Sequence, residues 1–342
     1  MSRSTKVLVT GAGGFIGHHL VKHLKAAGCW VRGVDLKQPE YEPTAADEFC
    51  ELDLREIEDC LRATDDVEEV YALAADMGGM GFISGNHAQI LRNNLLISTH
   101  TLEAARQQHV RRYLYASSAC VYPEYRQQEA GVTPLSEEMA YPAQPQDAYG
   151  WEKLITERLC MHFREDFGIQ TRIVRFHNIY GPLGTWDGGR EKVPAALCRK
   201  IALAKLTGNP EIDIWGDGEQ TRSFCFIDDC VQGICRLMQS DYAEPLNLGT
   251  DRLVSINELA DIIARIAGVK LRKKHIPGPQ GVRGRNSDNT RLREVLGWEP
   301  AVSLEAGLAQ TYAWIEAQVQ AAQTSAAAKP ARRNRAAAVV RS

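Results

Sequence analysis

The stretch KVLVTGAGGFIG, residues 6–17, decides how the rest of the chain is read. KVLVT is a continuous apolar run of buried-strand length, and a helical pattern follows the glycines as far as residue 27. Gly11 permits a tight turn. Gly14 lets a pyrophosphate approach the backbone where Phe15 and Ile16 open the helix, and Gly17 lets that helix pack close to the strand. The spacing is GxxGxxG. Set between a strand and a helix it predicts a dinucleotide site, which the glycines alone would not.

Working outward, a second strand over 30–34 ends at Asp35, about twenty residues past the glycines, where a ribose-reading carboxylate is expected. A carboxylate accepts from both ribose hydroxyls and repels a 2′-phosphate, which favours NAD, while Arg32 and Lys37 nearby leave NADP open. Asp53, closing a third strand FCELDL (49–54), is a candidate for the adenine edge. Strands over 69–74, 112–117 and 171–176 alternate with helices over 85–108 and 147–167, the order of an α/β doubly wound parallel sheet. Beyond 176 the pattern loosens into a helix after Pro194, short strands near Ile212 and Phe224, and helices near Ser255 and Leu304. The expected division is a Rossmann domain over 1–176 and a smaller substrate lobe over 177–320, interleaved with the last sheet strands. A tail over 321–342, rich in Ala and Arg and lacking any acidic residue, is expected to be disordered.

Composition narrows the function classes. With 342 residues, 44% of them hydrophobic, the chain can bury one large α/β body and a smaller lobe. Lys and Arg number 40 against 43 Asp and Glu, and the net charge of −3 offers nucleic acid no basic field. No apolar stretch reaches the length of a membrane span, and the strand at Lys6 leaves no room for a signal peptide. Nine scattered cysteines, without a CxxC pair or clustered His, fit reduced thiols in the cytosol rather than disulfides or a metal site.

Tyr149 and Lys153 stand four residues apart, on one face of a helix. In a hydride-transfer site the phenolate takes the alcohol proton as hydride leaves to nicotinamide. The ammonium is expected to lower the Tyr149 pKa toward neutrality while bonding the cofactor ribose. Upstream, Ser117-Ser118-Ala119-Cys120 closes the 112–117 strand where such a site holds its hydroxyl residue. A thiol there changes the reading. Ser or Thr only exchanges hydrogen bonds with a substrate oxygen, whereas a thiol can also move a proton to or from carbon. The residues therefore point to epimerisation at carbon around a transient ketone.

Seven blocks carry a resemblance: TGAGGFIG (10–17), AADMGGMGFI (74–83), YASSACVYPE (115–124), YGWEK (149–153), GGREKVPAALCRK (188–200), WGDGEQTRSF (215–224) and RGRNSDN (283–289). Over roughly residues 5–318 the chain resembles the extended short-chain dehydrogenases that act on nucleotide sugars, and among them the GDP-mannose 3,5-epimerase family. MGGMG, SSAC and GGREK are specific to that group; the glycine turn and YxxxK mark the superfamily. The resemblance implies that NAD+ oxidises C4 of the hexose and that the ketone acidifies the hydrogens on C3 and C5. Cys120 and Lys192 then exchange protons on opposite faces before the hydride returns. Lys192 lies at the start of the helix announced by Pro194, near Arg190, and both the helix dipole and the like charge are expected to lower its pKa.

By the same resemblance Gly78, Ser118 and Ala119 approach the hexose, and Asn178, Glu191, Val193 and Lys200 line the sugar and diphosphate. Gln220, Thr221, Arg222 and Arg285 hold nucleotide and phosphate, a task that suits the planar fork of arginine. GDP-mannose is the implied substrate, GDP-L-galactose the product, and GDP-L-gulose the product of C5 inversion alone. The helices over 85–108 and 147–167 are expected to pair with a second copy in a homodimer. His87, His177 and Trp215 read as structural, and Arg283 as either a site residue or a surface charge. Two other readings stay open: a 4-epimerase or 4,6-dehydratase of the same fold, and a non-catalytic NAD-binding regulatory module. A 4-epimerase needs no proton shuttle at C3 and C5, and a dehydratase would carry an acidic relay where this chain has Ala119-Cys120. A regulatory module has no use for Tyr149, Lys153, Cys120 and Lys192 together.

Overall fold

A computed structural model describes residues 4–339, with the side chains of Met80 and of 325–339 outside the description. The first half runs β1 (Lys6–Thr10), α1 (Phe15–Ala26), β2 (Trp30–Asp35), β3 (Glu48–Glu51), α2 (Ile57–Thr64), β4 (Glu69–Ala72), α3 (Met80–Ile83), α4 (His87–Gln107), β5 (Arg112–Ser118), α5 (Ala148–Phe167) and β6 (Gln170–Phe176). The second half runs β7 (Ile179–Tyr180), α6 (Val193–Thr207), β8 (Glu211–Trp215), β9 (Thr221–Arg222), β10 (Cys225–Phe226), α7 (Ile227–Gln239) and β11 (Pro245–Leu248). It closes with β12 (Val254–Ser255), α8 (Ile256–Ala267), β13 (Arg272–Ile276), β14 (Gly284–Arg285), α9 (Thr290–Leu296) and α10 (Leu304–Val339).

Seven parallel strands form the central sheet in the order β11-β6-β5-β4-β1-β2-β3. Helices cover both faces, so the inner strands are buried on both sides and read as unbroken apolar runs: Val7, Leu8, Val9, Val70 and Tyr71 are all buried. The strand order reverses between β1 and β4, and the crevice outside the carboxyl ends of the strands there is where such sheets bind ligands. At its floor Gly11 adopts φ +70°, and a Cβ on Gly17 would lie 2.1 Å from the Gly11 carbonyl oxygen, so neither position accepts a side chain without strain. One hydrophobic core joins β1 and α1 to α6, α7, α8 and α10, and a second packs the sheet against α2, α4 and α5. The lobe and the sheet thus share an interior.

Element ends differ from the sequence reading in places. The third strand stops at Glu51, which leaves Asp53 in the following loop, and β4 stops at Ala72. The helix expected from residue 85 begins at His87, because Gly85 and Asn86 form the turn after the four-residue α3. The backbone of α10 continues to Val339, into the stretch read as a disordered tail, where 9 of the 19 residues over 321–339 are alanine, the strongest helix former.

Candidate active site

At the nucleotide end, the Asp35 carboxylate accepts from the Gly13 N–H (3.0 Å) and the Leu36 N–H (2.7 Å). Burial raises its pKa, and those backbone bonds oppose the rise. A Cβ on Gly13 would lie 2.2 Å from the Lys37 carbonyl oxygen, so the turn and the end of β2 are pressed together. Gly14 caps α1 without a side chain, which leaves the first-turn N–H groups facing a crevice lined by Phe15, Lys37, Tyr41 and Thr185. A bare helix N-terminus, glycines at which a Cβ would collide with backbone, and a carboxylate beside them fit a dinucleotide. Asp53 is engaged by Arg55 through two guanidinium nitrogens (2.9 and 2.5 Å), which holds its carboxyl below the usual range.

At the reacting end, β5 passes from Ser118 into one 3-10 turn, Ala119–Val121. Ser118 Oγ accepts from the Cys120 N–H (3.2 Å), and the Ser118 hydroxyl lies near enough to the Tyr149 phenol to lower its pKa. Asp147 caps α5 by accepting from the Gly150 N–H (2.9 Å), which sets Tyr149 in the first turn. A Cβ on Gly150 would lie 2.2 Å from the Cys120 carbonyl oxygen, so the bare glycine lets α5 lie against the thiol-bearing turn. Burial pushes the Tyr149 phenol well above its ordinary range, helped by charge at Cys120 and Glu152 and opposed by the Ser118 hydroxyl. This corrects the expected shift toward neutrality. The Lys153 ammonium lies 4.8 Å from the Tyr115 ring centroid, 5.4 Å from that of Tyr149 and 3.9 Å from a Glu152 oxygen.

The MGGMG loop packs Met77, Phe82 and Ile83 against Tyr149 and Cys120. A Cβ on Gly78 would meet the Phe82 side chain at 2.9 Å, and the Gly79 N–H donates to the Arg190 carbonyl (3.1 Å). That bond ties the loop to the segment that carries Lys192. Lys192 is the cap residue of α6, with Pro194 in the first turn, and Glu191 is held by the Gly189 N–H (2.7 Å) and Arg199 (2.9 Å). The Lys192 pKa is lowered, the expected direction, but the leading cause is desolvation, with charges at Cys120 and Cys230 opposing it. The side chain keeps more than a third of its surface open, so the effect comes from protein crowding around a cleft that solvent still enters.

Across the site β9 and β14 pair Arg222 with Arg285. Arg222 donates to the carbonyls of Thr221 (2.7 Å) and Val282 (2.7 Å). Burial and the Arg285 charge press it down to about 9, so it stays charged at neutral pH. Arg285 donates from Nη1 to Cys120 Sγ (3.3 Å). Gln220 bonds the Trp215 carbonyl (3.1 Å) through Nε2 and keeps a buried Oε1 without a hydrogen-bond partner; Thr221 Oγ1 donates to the Ala130 carbonyl (2.5 Å). Lys200 donates to the Asp213 carbonyl (2.6 Å) and is lowered by burial, while Asn178, at φ +47°, donates to the Ser223 carbonyl (2.8 Å). Val193 is exposed at the mouth of the cleft segment, and Trp215 is 44% exposed. Burial takes His177, which donates through Nε2 to Asn247 Oδ1 (2.9 Å), down to about 3 and keeps it neutral. Arg283 is paired with Asp217 (2.8 Å) at the surface.

The sequence reading passed over three features. Gly150 could have been found, since it lies inside the YGWEK block. Gln127, which holds Arg285, had no local signal. Nor did the buried network beneath β5, in which Glu157 accepts from Ser117 (2.5 Å) and Arg175 (2.7 Å), and Arg175 reaches the Tyr122 hydroxyl (3.2 Å).

A glycine turn at the switch point of a Rossmann sheet, with a Tyr-Lys helix beside it, is the build of an NAD-using dehydrogenase or epimerase. Residues 7–249 match the NAD dependent epimerase/dehydratase family. The chain is similar to GDP-mannose 3,5-epimerase 1 of Oryza sativa subsp. indica, 53% identical over 325 residues that span 94% of this chain and 85% of the relative. It is also 53% identical to GDP-mannose 3,5-epimerase of Arabidopsis thaliana over 321 residues, 93% of this chain and 84% of that one. Among solved structures it is similar to the UDP-glucose 4-epimerase of Thermotoga maritima, determined with UDP-glucose. That likeness has a TM-score of 0.83 at 28% identity and covers 92% of this chain and 100% of that chain. The chain belongs to the NAD dependent epimerase/dehydratase family, on its GDP-mannose 3,5-epimerase branch.

Proposed function

We propose that this chain inverts C3 and C5 of GDP-mannose through a transient C4 ketone, giving GDP-L-galactose, and GDP-L-gulose where C5 alone is inverted. The observation that carries the reading is the Cys120 thiol packed in one cluster with Tyr149, on the turn that Ser118 holds through the Cys120 N–H, with Lys192 near enough for Cys120 to influence its charge. A 4-epimerase would need no such thiol. When bound, NAD supplies the acceptor and later the donor of the C4 hydride. Gly11, Gly14, Phe15, Ile16, Gly17 and Asp35 would hold its nucleotide end and Lys153 its nicotinamide side, with residues 1–176 taking the cofactor and 177–320 the nucleotide sugar.

Tyr149 handles the proton of the C4 hydroxyl. As phenolate it would take that proton when the hydride leaves and give it back when the hydride returns, so the proton balances over the cycle. Burial favours the protonated phenol in the ligand-free protein, and the positive charges of Lys153 and of bound NAD would favour the phenolate. Once C4 is a ketone, the hydrogens on C3 and C5 become acidic. Cys120 and Lys192 work opposite faces, one taking a carbon-bound proton and the other returning one, so no proton is gained or lost overall.

The test is turnover of GDP-mannose by the purified protein in deuterated water. Label should enter at C3 and C5, and free NADH should not accumulate with product. Conversion to a C4 epimer without label at C3 or C5 would overturn the assignment. We also propose a cytosolic homodimer. All nine cysteines are free thiols, and α5, packed beside α4, leaves Trp151 and Ile155 exposed one turn apart (41% and 48%), as a helix-pairing surface would. A monomer in light scattering at micromolar concentration would count against the dimer.

A further inference from the structure

An arm of hydrogen-bonded groups reaches the Cys120 sulfur, and no step above uses it. Arg285 donates from Nη1 to Cys120 Sγ (3.3 Å) and from Nε to Gln127 Oε1 (2.6 Å). Gln127 is itself fixed on both sides. Its side chain is buried, and Nε2 donates to the carbonyls of Tyr122 (3.0 Å) and Pro123 (3.2 Å). With the nitrogen committed to two carbonyls, the amide oxygen has to face the guanidinium. The Gln127 carbonyl accepts from the N–H groups of Arg283 (2.9 Å) and Gly284 (3.1 Å), which clamps β14 to this segment. A Cβ on Gly284 would lie 2.1 Å from the Glu129 carbonyl oxygen, so the strand lies tight against it.

A guanidinium keeps its protons in proteins, so toward sulfur it acts only as a charged donor. Hydrogen bonds to an acceptor that carries or gains negative charge are the stronger ones. Held by Nε, Arg285 has one direction in which to present Nη1, and that direction is the sulfur. We infer that Gln127 is a positioning residue for proton transfer: it aims Arg285 at Cys120, fixing the sulfur and supplying a donor for the charge that develops there. The proton passes between carbon and sulfur, and Arg285 and Gln127 keep theirs. The inference rests on the reading of Cys120 as a proton-transfer group, and it gives Arg285 work beyond a phosphate contact.

Gln127→Met removes the amide oxygen at similar volume; Gln127→Asn, one methylene shorter, withdraws it while staying polar and serves if the first variant folds poorly. Three readouts apply to the full-length protein: kcat and KM for GDP-mannose, the single-turnover rate of C4 oxidation followed as NADH absorbance, and iodoacetamide alkylation of Cys120 followed by peptide mass spectrometry. Deuterium uptake, kcat and the alkylation rate should each fall about tenfold, with C4 oxidation and KM within twofold of wild type. A raised KM with unchanged kcat and alkylation would assign the arm to diphosphate binding and overturn the inference. Loss of C4 oxidation in step with kcat would mark a general structural effect and overturn it too. Alkylation of the resting protein does not involve the reaction, whereas wild-type deuterium uptake by Cys120→Ala would sink the proton-transfer reading itself, so the two failures are distinguishable.

Discussion

The nucleotide end of the cleft is made almost entirely of backbone, and the reacting end almost entirely of side chains. At the first, residues 6–17 and Asp35 suffice: glycines that exclude any Cβ, a bare helix terminus and one carboxylate bonded to two N–H groups. At the second, five segments remote in sequence meet, with Cys120, Tyr149, Lys192 and Arg285 each arriving on a different one. Backbone geometry is determined locally and tolerates nothing added. A side-chain cluster depends on long-range packing, and its chemistry can be altered one group at a time.

The largest effect expected from this contrast is at Tyr149. Tyr149→Phe should lower turnover by about 10⁴-fold or more and abolish deuterium uptake at both C3 and C5, because without the ketone neither carbon is acidic enough to exchange. NAD binding should persist, since the nucleotide end is untouched. Deuterium uptake at the wild-type rate in this variant would separate proton exchange from C4 oxidation and break the proposed order of events.

Next come the two residues proposed to transfer protons. Cys120→Ala and Lys192→Met should each still oxidise C4 in a single turnover while losing about 10²- to 10⁴-fold in epimerisation. The position at which label is retained should differ between them, because the proposed mechanism sets them on opposite faces. If both lose C4 oxidation as well, the reacting end behaves as one unit rather than as separable groups.

The same contrast explains what could be read from the sequence. The strand, turn and helix of residues 6–27 follow from hydrophobic period and glycine spacing, which are local, and so does the alternation that gives the parallel sheet. Tyr149 and Lys153 were locatable for the same reason, being one helical turn apart. Their electrostatics were not. The Tyr149 phenol is pushed up by residues of other segments that bury it, and the Lys153 ammonium is shared among the Tyr149 ring, the Tyr115 ring and Glu152. For Lys192 the direction of the shift was legible from its place at a helix start, but the cause was not, because crowding depends on what the fold brings around it. Gln127 and Arg285 lie 158 residues apart, and no spacing rule links them.

A smaller effect is expected at Gly17, where the methyl of Gly17→Ala would fall 2.1 Å from the Gly11 carbonyl oxygen. The backbone has to move, at a cost of about 1–3 kcal/mol, which thermal unfolding should register as a loss of stability at every pH, together with weaker NAD binding. Unchanged stability and affinity would mean that α1 can shift without opening the turn, and the backbone half of the comparison would fail.

Lys192 should behave in the opposite way, with the smallest effect of the set. Its folded pKa lies below the ordinary 10.5, so the native state binds its proton less readily than the unfolded chain does. Below the lowered value both states are charged, and the native state bears the full cost of crowding the ammonium. As pH rises from that value toward 10.5 the native state sheds the proton first, and the cost fades. Lys192→Met should therefore be slightly more stable than wild type at pH 7, with the difference shrinking toward pH 10.5. More than a third of the side chain meets solvent, which screens the effect, so the gain in Tm should be no more than about two degrees. Where Gly17→Ala loses stability at every pH, this variant gains some near neutrality while losing its chemistry. A Tm below wild type at pH 7 would show that Lys192 is held by favourable contacts, and would remove crowding as the reason its ammonium gives up a proton early.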